Sequence, residues 1–299
     1  MTLTDEVTKR IITRLVSGQD YRIEVVSLIN TKFLEYAIEF FRRVIEAKSK
    51  HEPVTVDWYK QEFLNPDLPS DELIINSGLN KKTISNMYNS ASRNIVLQAT
   101  SEHYEQLYSS IANLIEQEED FDLTLTIRFG DAKVDLTLSE SLIVINTLAV
   151  KRAELRGGAW STAGKQVEKS LMKTLCLLYK VPESHYDLTG LTDSQREVDF
   201  YLIGRDQTRY RCEVKLMGKG NPESADAIFA RESQVFVADK LSDLNKQQAD
   251  KLKVKWVELR SPNGHQKFKA ILDELNVPNG DFQGSIDQQL TEVFSEIFK

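Results

Sequence analysis

The chain has 299 residues, 41% hydrophobic and 28% charged, with a formal net charge of −7. That is the composition of a globular protein able to bury one large core or two ordinary ones. It excludes a membrane-spanning chain, since no apolar run approaches ~20 residues, and a disulfide-stapled scaffold, since only Cys176 and Cys212 are available. Four scattered histidines make no paired metal-ligand motif. The opening MTLTDEVTKRIITRLVSG mixes charges into an amphipathic pattern without a signal peptide's apolar centre, so a cytoplasmic location is expected. The acidic excess has an address: residues 101–127 hold seven acidic side chains and no Lys or Arg, and the remaining 38 acidic and 38 basic residues balance. A negative total therefore does not exclude nucleic acid, because local basic patches set phosphate affinity.

In chain order, residues 1–50 carry apolar positions at a spacing of three to four and predict helices. HEPVTVDWYKQEFLNPDLPS holds three of the seven prolines and predicts a connector with one short helix. Residues 71–100 predict a helix, a turn at Ser77-Gly78-Leu79-Asn80, and a second helix beginning KKTISNMY. That is the outline of a helix-turn-helix, in which Lys81, Lys82, Thr83, Ser85, Asn86 and Arg93 suit phosphates or base edges. An ordinary helical hairpin with a solvated face has the same outline. FDLTLTIRFGDAKVDLTLS predicts a hairpin turning at Gly130-Asp131. A helix then follows over SESLIVINTLAVKRAELRGG, closed by Gly157-Gly158.

From residue 159 the rhythm changes. TAGKQVEKSLMKTLCLLYKV predicts a strongly amphipathic helix, then come a strand hairpin over 196–216, a helix over PESADAIFARES, a strand over SQVFVAD, a helix over LSDLNKQQADKLK, a strand over VKWVEL and a helix over GHQKFKAILDELN. The fold class expected is α/β, a mixed sheet flanked by helices, with a mostly helical N-terminal region. The expected domains are 1–150, helical and DNA-recognising, and 151–299, carrying the chemistry.

The hairpin REVDFYLIGRDQTRYRCEVKLMGKG raises the functional question. Val198, Phe200 and Leu202 alternate with Glu197, Asp199 and Tyr201, and Tyr210, Cys212, Val214 and Leu216 with Arg211, Glu213 and Lys215. A period of two gives one apolar face and one face gathering Glu197, Asp199, Arg211, Glu213 and Lys215. A three-residue loop at Arg205-Asp206-Gln207 places Asp199 opposite Glu213, whereas a two-residue loop sends the carboxylates to opposite faces. Two carboxylates directly across a strand pair repel unless a cation lies between them. Oxygen ligands suit Mg²⁺, and the lysine beside them can hold a water aimed at phosphorus. This set suits phosphodiester hydrolysis, although a salt-bridged solvated face would also read E-V-K.

On these residues the sequence resembles the PD-(D/E)XK nuclease superfamily, with Asp199 at its first acidic position, Glu213-Val214-Lys215 at its E-x-K, and Val198 where a Pro is usual. Glu168, in GKQVEKSL, matches a further acidic position on the preceding helix. GGAWSTAGKQVEKSLMKTLCLLY, EVDFYL and CEVKLMGKGNPESADAIFARESQVFVADKLSDLNK are similar to type II restriction endonucleases of the CfrBI-like group, over roughly 155–260. The resemblance implies a core in the order α-β-β-β-α-β, a Mg²⁺-dependent enzyme that cuts double-stranded DNA to 5′-phosphate and 3′-hydroxyl ends, and action as a homodimer. It implies that Asp199, Glu213 and the Val214 carbonyl bind the metal while Lys215 positions the water. Lys219, Asn221 and Arg231, beyond the strand, are candidates to reach DNA, with a simple turn at 217–221 and an ion pair of Arg231 with a neighbouring acid as the alternatives. The rivals are another nuclease of this fold, for repair or branched DNA, and a non-catalytic DNA-binding regulator.

Other signals carry less. GGAWSTAGKQ has five residues between Gly158 and Gly164 rather than four, and Gln166 replaces the Ser or Thr of a nucleotide-binding loop, so no nucleotide cofactor is expected. In RFGDAKVD, Asp131 falls in the turn itself. KLSDLNKQQADKLKVK reads as a solvated helix face.

Overall fold

The computed structural model describes residues 3–77, 79, 81–117, 123–187, 200–216, 233–281 and 283–298. The chain divides into two compact units, Met1–Leu28 with Trp160–Lys299, and Ile29–Ala159. The expected division at 150/151 falls inside a helix, and the first 28 residues go with the C-terminal unit instead. The protein is α/β, and no described helix is long and apolar enough to cross a membrane.

The first unit is built on a five-stranded mixed sheet. Its strands are β3 (Tyr186–Asp187), β4 (Phe200–Ile203), β5 (Arg209–Lys215), β6 (Val235–Ala238) and β7 (Lys255–Glu258), in that spatial order. β3, β4 and β5 pair antiparallel, and β5, β6 and β7 pair parallel. All four residues of β6 are buried, as a Val-Phe-Val-Ala run covered on both faces requires. α8 (Asp243–Lys251) starts with a capping box at Ser242 and Asn245, and its Ala249 joins Phe236, Ala238, Leu241 and Val254 in a small core. α9 (Gly264–Glu274) buries Phe268, Ile271 and Leu272.

α1 (Leu3–Val16) buries Val7, Ile11, Ile12, Leu15 and Val16 at helical spacing. Gly18 closes it at φ +73°. Arg260, just past β7, donates to Asp20 at 3.0 Å and lies 3.8 Å from the wholly buried Asp239. These ties hold the N-terminal helix to the carboxyl end of the sheet. α10 (Ile286–Ile297), absent from the sequence expectations, is capped by Ser285 and buries Leu290, Val293 and Phe294.

The second unit holds most of α2 (Arg22–Ser49), then α3 (Val56–Phe63), α4 (Ser70–Ser77), α5 (Lys81–Tyr88), α6 (Arg93–Gln117) and the hairpin of β1 (Leu125–Phe129) and β2 (Ala132–Leu136). Its core is aromatic: Tyr59 stacks on Tyr104 at 4.6 Å and on Phe63 at 4.9 Å, with Phe40 5.3 Å from Phe63. The hairpin turns at Gly130-Asp131 as expected, with Gly130 at φ +60° as mirror-image turns demand.

One expectation is corrected. The helices predicted on either side of Gly157-Gly158 are a single helix, α7 (Leu138–Leu178), whose earlier part belongs to the second unit and whose later part to the first. Two glycines cost about 1 kcal/mol each in a helix interior, but the span contains no proline to remove a backbone donor. Val167, Leu171, Met172, Leu175, Cys176 and Leu178 form its buried stripe.

Two positions make the stability of this arrangement testable. A Cβ at Gly264 would lie 2.2 Å from the Glu258 carbonyl and 2.6 Å from that of Leu259, both fixed backbone. Gly264→Ala should therefore cost about 1–3 kcal/mol in urea unfolding. Glu140 is buried and accepts the Val54 and Thr137 N–H groups at 2.9 Å and Lys48 at 3.0 Å. Burial pushes its carboxyl up, but the two backbone donors and Lys48 outweigh it and hold the group below the usual value. A depressed folded value means the contribution is complete above the unfolded value and is lost as pH falls through the folded one. The stability gap between the native protein and Glu140→Gln should be constant from pH 7 to about 5 and close below about pH 4.

Candidate active site

Among the described residues, the chemistry expected of the hairpin gathers at the carboxyl end of β5. Phe200 pairs with Cys212, Tyr201 with Arg211, Leu202 with Tyr210 and Ile203 with Arg209. This is the register of the three-residue loop: Gly204 donates to the Thr208 carbonyl at 2.9 Å, and Gln207 takes φ +67°. Cys212 and Val214, both fully buried, point to the apolar face, and Glu213 and Lys215 to the other.

Glu213 is 1% exposed, a burial that a carboxylate tolerates only when paired. Lys215 supplies the charge, its Nζ 3.0 Å from Glu213 Oε1. The same Nζ lies 4.0 Å from Glu168 Oε2 on α7. A lysine thus stands between two carboxylates, one from the sheet and one from the helix. Such a group can hold a hard cation on its oxygens and present an ammonium to an anion beside it.

Comparison with known families supplies the decisive observation: the profile of the CfrBI restriction endonuclease family matches residues 5–246. The chain belongs to that family. The match begins well before the 155–260 of the sequence resemblance, taking in the helical N-terminal region, and ends at 246. No curated protein and no solved structure matches the chain. Membership makes the protein a restriction endonuclease of type II, a nuclease whose substrate is DNA.

The other expected residues of this restriction endonuclease distribute as follows. Asp199, Lys219, Asn221 and Arg231 lie outside the described residues, as does the helix expected over PESADAIFARES except its last residue, Ser233, which is buried and not helical. Among the described residues no three His, Cys, Asp or Glu side chains form a metal-binding group. Glu168 and Glu213 provide two carboxylates whose hard oxygens fit Mg²⁺. In the other compact unit, α4 and α5 are helices where the two of the expected helix-turn-helix fall, α5 being eight residues long, while Gly78 and Asn80 of the expected turn lie outside the described residues. Leu73 and Ile84 are buried, Thr83 and Ser85 half-buried and Asn86 exposed. The side chains of Lys81 and Lys82 are not among those described. Arg93 stands at the start of α6, after a break at Asn89, where φ is +53°. It donates to the Pro66 carbonyl and, at 2.8 Å, to that of Leu68, so its guanidinium clamps the proline-rich connector.

GGAWSTAGKQ lies within α7, where the backbone donors of a phosphate cradle are spent on the helix. Burial pushes both thiols up, Cys176 and Cys212 alike, so neither is a nucleophile. Glu258 is a buried charged residue on the same sheet that sequence reasoning did not single out. It is 5% exposed on β7, with Lys246 2.5 Å and Lys240 3.8 Å away. The signal for it was an acid closing the apolar run KWVE, the same kind of signal that Glu213 gives in CEVK.

Replacing Lys215 removes the cation between Glu213 and Glu168. In EDTA, Lys215→Met should lose about 1–3 kcal/mol of stability, less than a fully buried broken pair because Lys215 is partly exposed. Glu168→Gln in that background should restore part of the loss, a coupling of at least about 0.5 kcal/mol in a double-mutant cycle.

Proposed function

We propose that the protein is a Mg²⁺-dependent PD-(D/E)XK endonuclease that cuts double-stranded DNA at a specific sequence, leaving 5′-phosphate and 3′-hydroxyl ends. The observation that carries this reading is the buried Glu213 carboxylate at the end of an inner strand, 3.0 Å from the Lys215 ammonium, with Glu168 next to that ammonium. Outside a charge-handling site, a buried acid on such a strand is a liability.

In this reading Glu213 and Asp199 hold the metal, with the Val214 carbonyl as a third oxygen and Glu168 behind them. The assignment of Asp199 rests on the sequence pattern, one residue before Phe200. Mg²⁺, when bound, neutralises phosphate charge and makes water a better nucleophile at neutral pH. Lys215 holds the attacking water against phosphorus and offsets charge on the phosphate oxygens. Lys219, Asn221 and Arg231 reach the DNA beside the site, and residues 71–100 of the other unit, with Lys81, Lys82, Thr83, Ser85 and Asn86, take part in recognition, Arg93 supporting them by holding the connector. Cutting both strands of a duplex calls for two such sites, which a two-fold symmetric homodimer supplies. The chain works in the cytoplasm, where unmodified DNA enters.

Unmethylated plasmid incubated with the protein and Mg²⁺ should yield discrete fragments bearing 5′-phosphates, and EDTA should abolish cutting. Asp199→Ala, Glu213→Ala and Lys215→Ala should each lower the rate by roughly several powers of ten while duplex binding persists. Nicking without discrete fragments would instead favour a repair or branched-DNA nuclease of the same fold. Full activity of Asp199→Ala in a DNA-binding assay, with no cutting by the native protein, would mark a regulator.

A further inference from the structure

We infer that Lys240, held by the buried Glu258, binds a backbone phosphate beside the one that is cut; this deepens the nuclease reading and rests on it. Lys215 pairs with Ala238 on β6, and Ala238 with Glu258 on β7, so these three side chains share the face on which Glu213 lies. The pairing of β6 with β7 runs on past the strand ends, through Leu259 N–H to the Ala238 carbonyl and Arg260 N–H to that of Asp239, both at 2.9 Å. Lys240, two residues beyond Ala238, returns to the same face, and its Nζ lies 3.8 Å from Glu258 Oε1.

The charges do not cancel. Glu258 is one carboxylate, and two ammonium groups address it: Lys246 at 2.5 Å on Oε2 and Lys240 at 3.8 Å on Oε1. The two lysines differ. Lys246 is fixed, with its tight contact and its ammonium 5.4 Å over the Trp256 ring. Lys240 has the longer contact, and its side chain is 40% exposed. The surplus positive charge therefore falls on the lysine that solvent, or an anion, can reach. One strand across and two residues along puts the Lys240 and Lys215 Cα atoms about 8 Å apart. Phosphates follow one another at about 3.4 Å of axial rise along each strand, so a lysine at that offset serves a near neighbour of the phosphate at Lys215.

The test measures binding of a fluorescent mixed-sequence duplex by anisotropy, with Ca²⁺ in place of Mg²⁺ so that the DNA stays intact. Lys240→Gln should weaken binding about 3- to 10-fold near 0.1 M salt and lower the slope of log K against log salt by about 0.9, the share of one neutralised phosphate. Lys240→Arg should keep the slope. Glu258→Gln should strengthen binding and leave the slope at least as steep, because it removes the negative charge that Lys240 now faces. Thermal melting checks that the variants fold, and a folded Glu258→Gln that binds more weakly than the native protein also counts against the inference. An unchanged affinity and slope for Lys240→Gln, with the native protein binding normally, overturns this inference alone. A native protein that binds no duplex overturns it together with the nuclease reading.

Discussion

The burial of Glu213 beside Lys215 is the constraint around which the sheet end is arranged. A carboxylate on an inner strand has lost its water and must find a positive partner within a few ångströms. Lys215, two residues on and on the same face, supplies it, and Glu168 from α7 completes a set in which each charge answers another. The surrounding elements serve this arrangement. Val214 and Cys212 anchor β5 from the apolar face, β6 is packed on both sides, and α7 brings Glu168 with the same turns that bury Leu171 and Leu175.

The logic recurs two strands away. Glu258 is again an acid that closes an otherwise apolar strand, and again lysines answer it. Asp239, between them in sequence and wholly buried, faces Arg260, which in turn holds Asp20. The carboxyl ends of the three parallel strands thus carry alternating acids and bases. Open α/β sheets place ligands there, because the strand ends leave a crevice that side chains of several elements can line.

Much of this was legible in the sequence. The period-two alternation of REVDFYL and YRCEVKL marked the hairpin, and it put Glu213 and Lys215 on one face, where they pair. The strands VFVA and KWVE and the helices around them were visible as apolar runs and stripes. Where the sequence misled, the cause was local. Gly157-Gly158 reads as a helix end, yet nothing obliges a helix to stop there without proline, and α7 continues. Helix ends, by contrast, were legible where the apolar periodicity stops, without glycine to mark them. His51, Lys180, Lys253 and Asn276 occupy left-handed positions with the paired end-of-helix bonds usually signalled by glycine, such as Val181 N–H to the Cys176 carbonyl. β3 has two residues and exists only because β4 pairs with it, and α10 shows as a helix only through Ser285 and its apolar stripe. Lys246 sat in a run that looks solvated. Glu258, distant in sequence, is what draws it in.

The two sulfurs offer a different use of the same architecture. Cys176 on α7 and Cys212 on β5 are sealed within the first unit's core, unbonded to each other. Neither is exposed to reagent while that core stays closed, so alkylation proceeds only through its opening. The speed at which a thiol-specific label enters is then a built-in clock for the integrity of the strand that bears Glu213, readable by mass without any engineered probe.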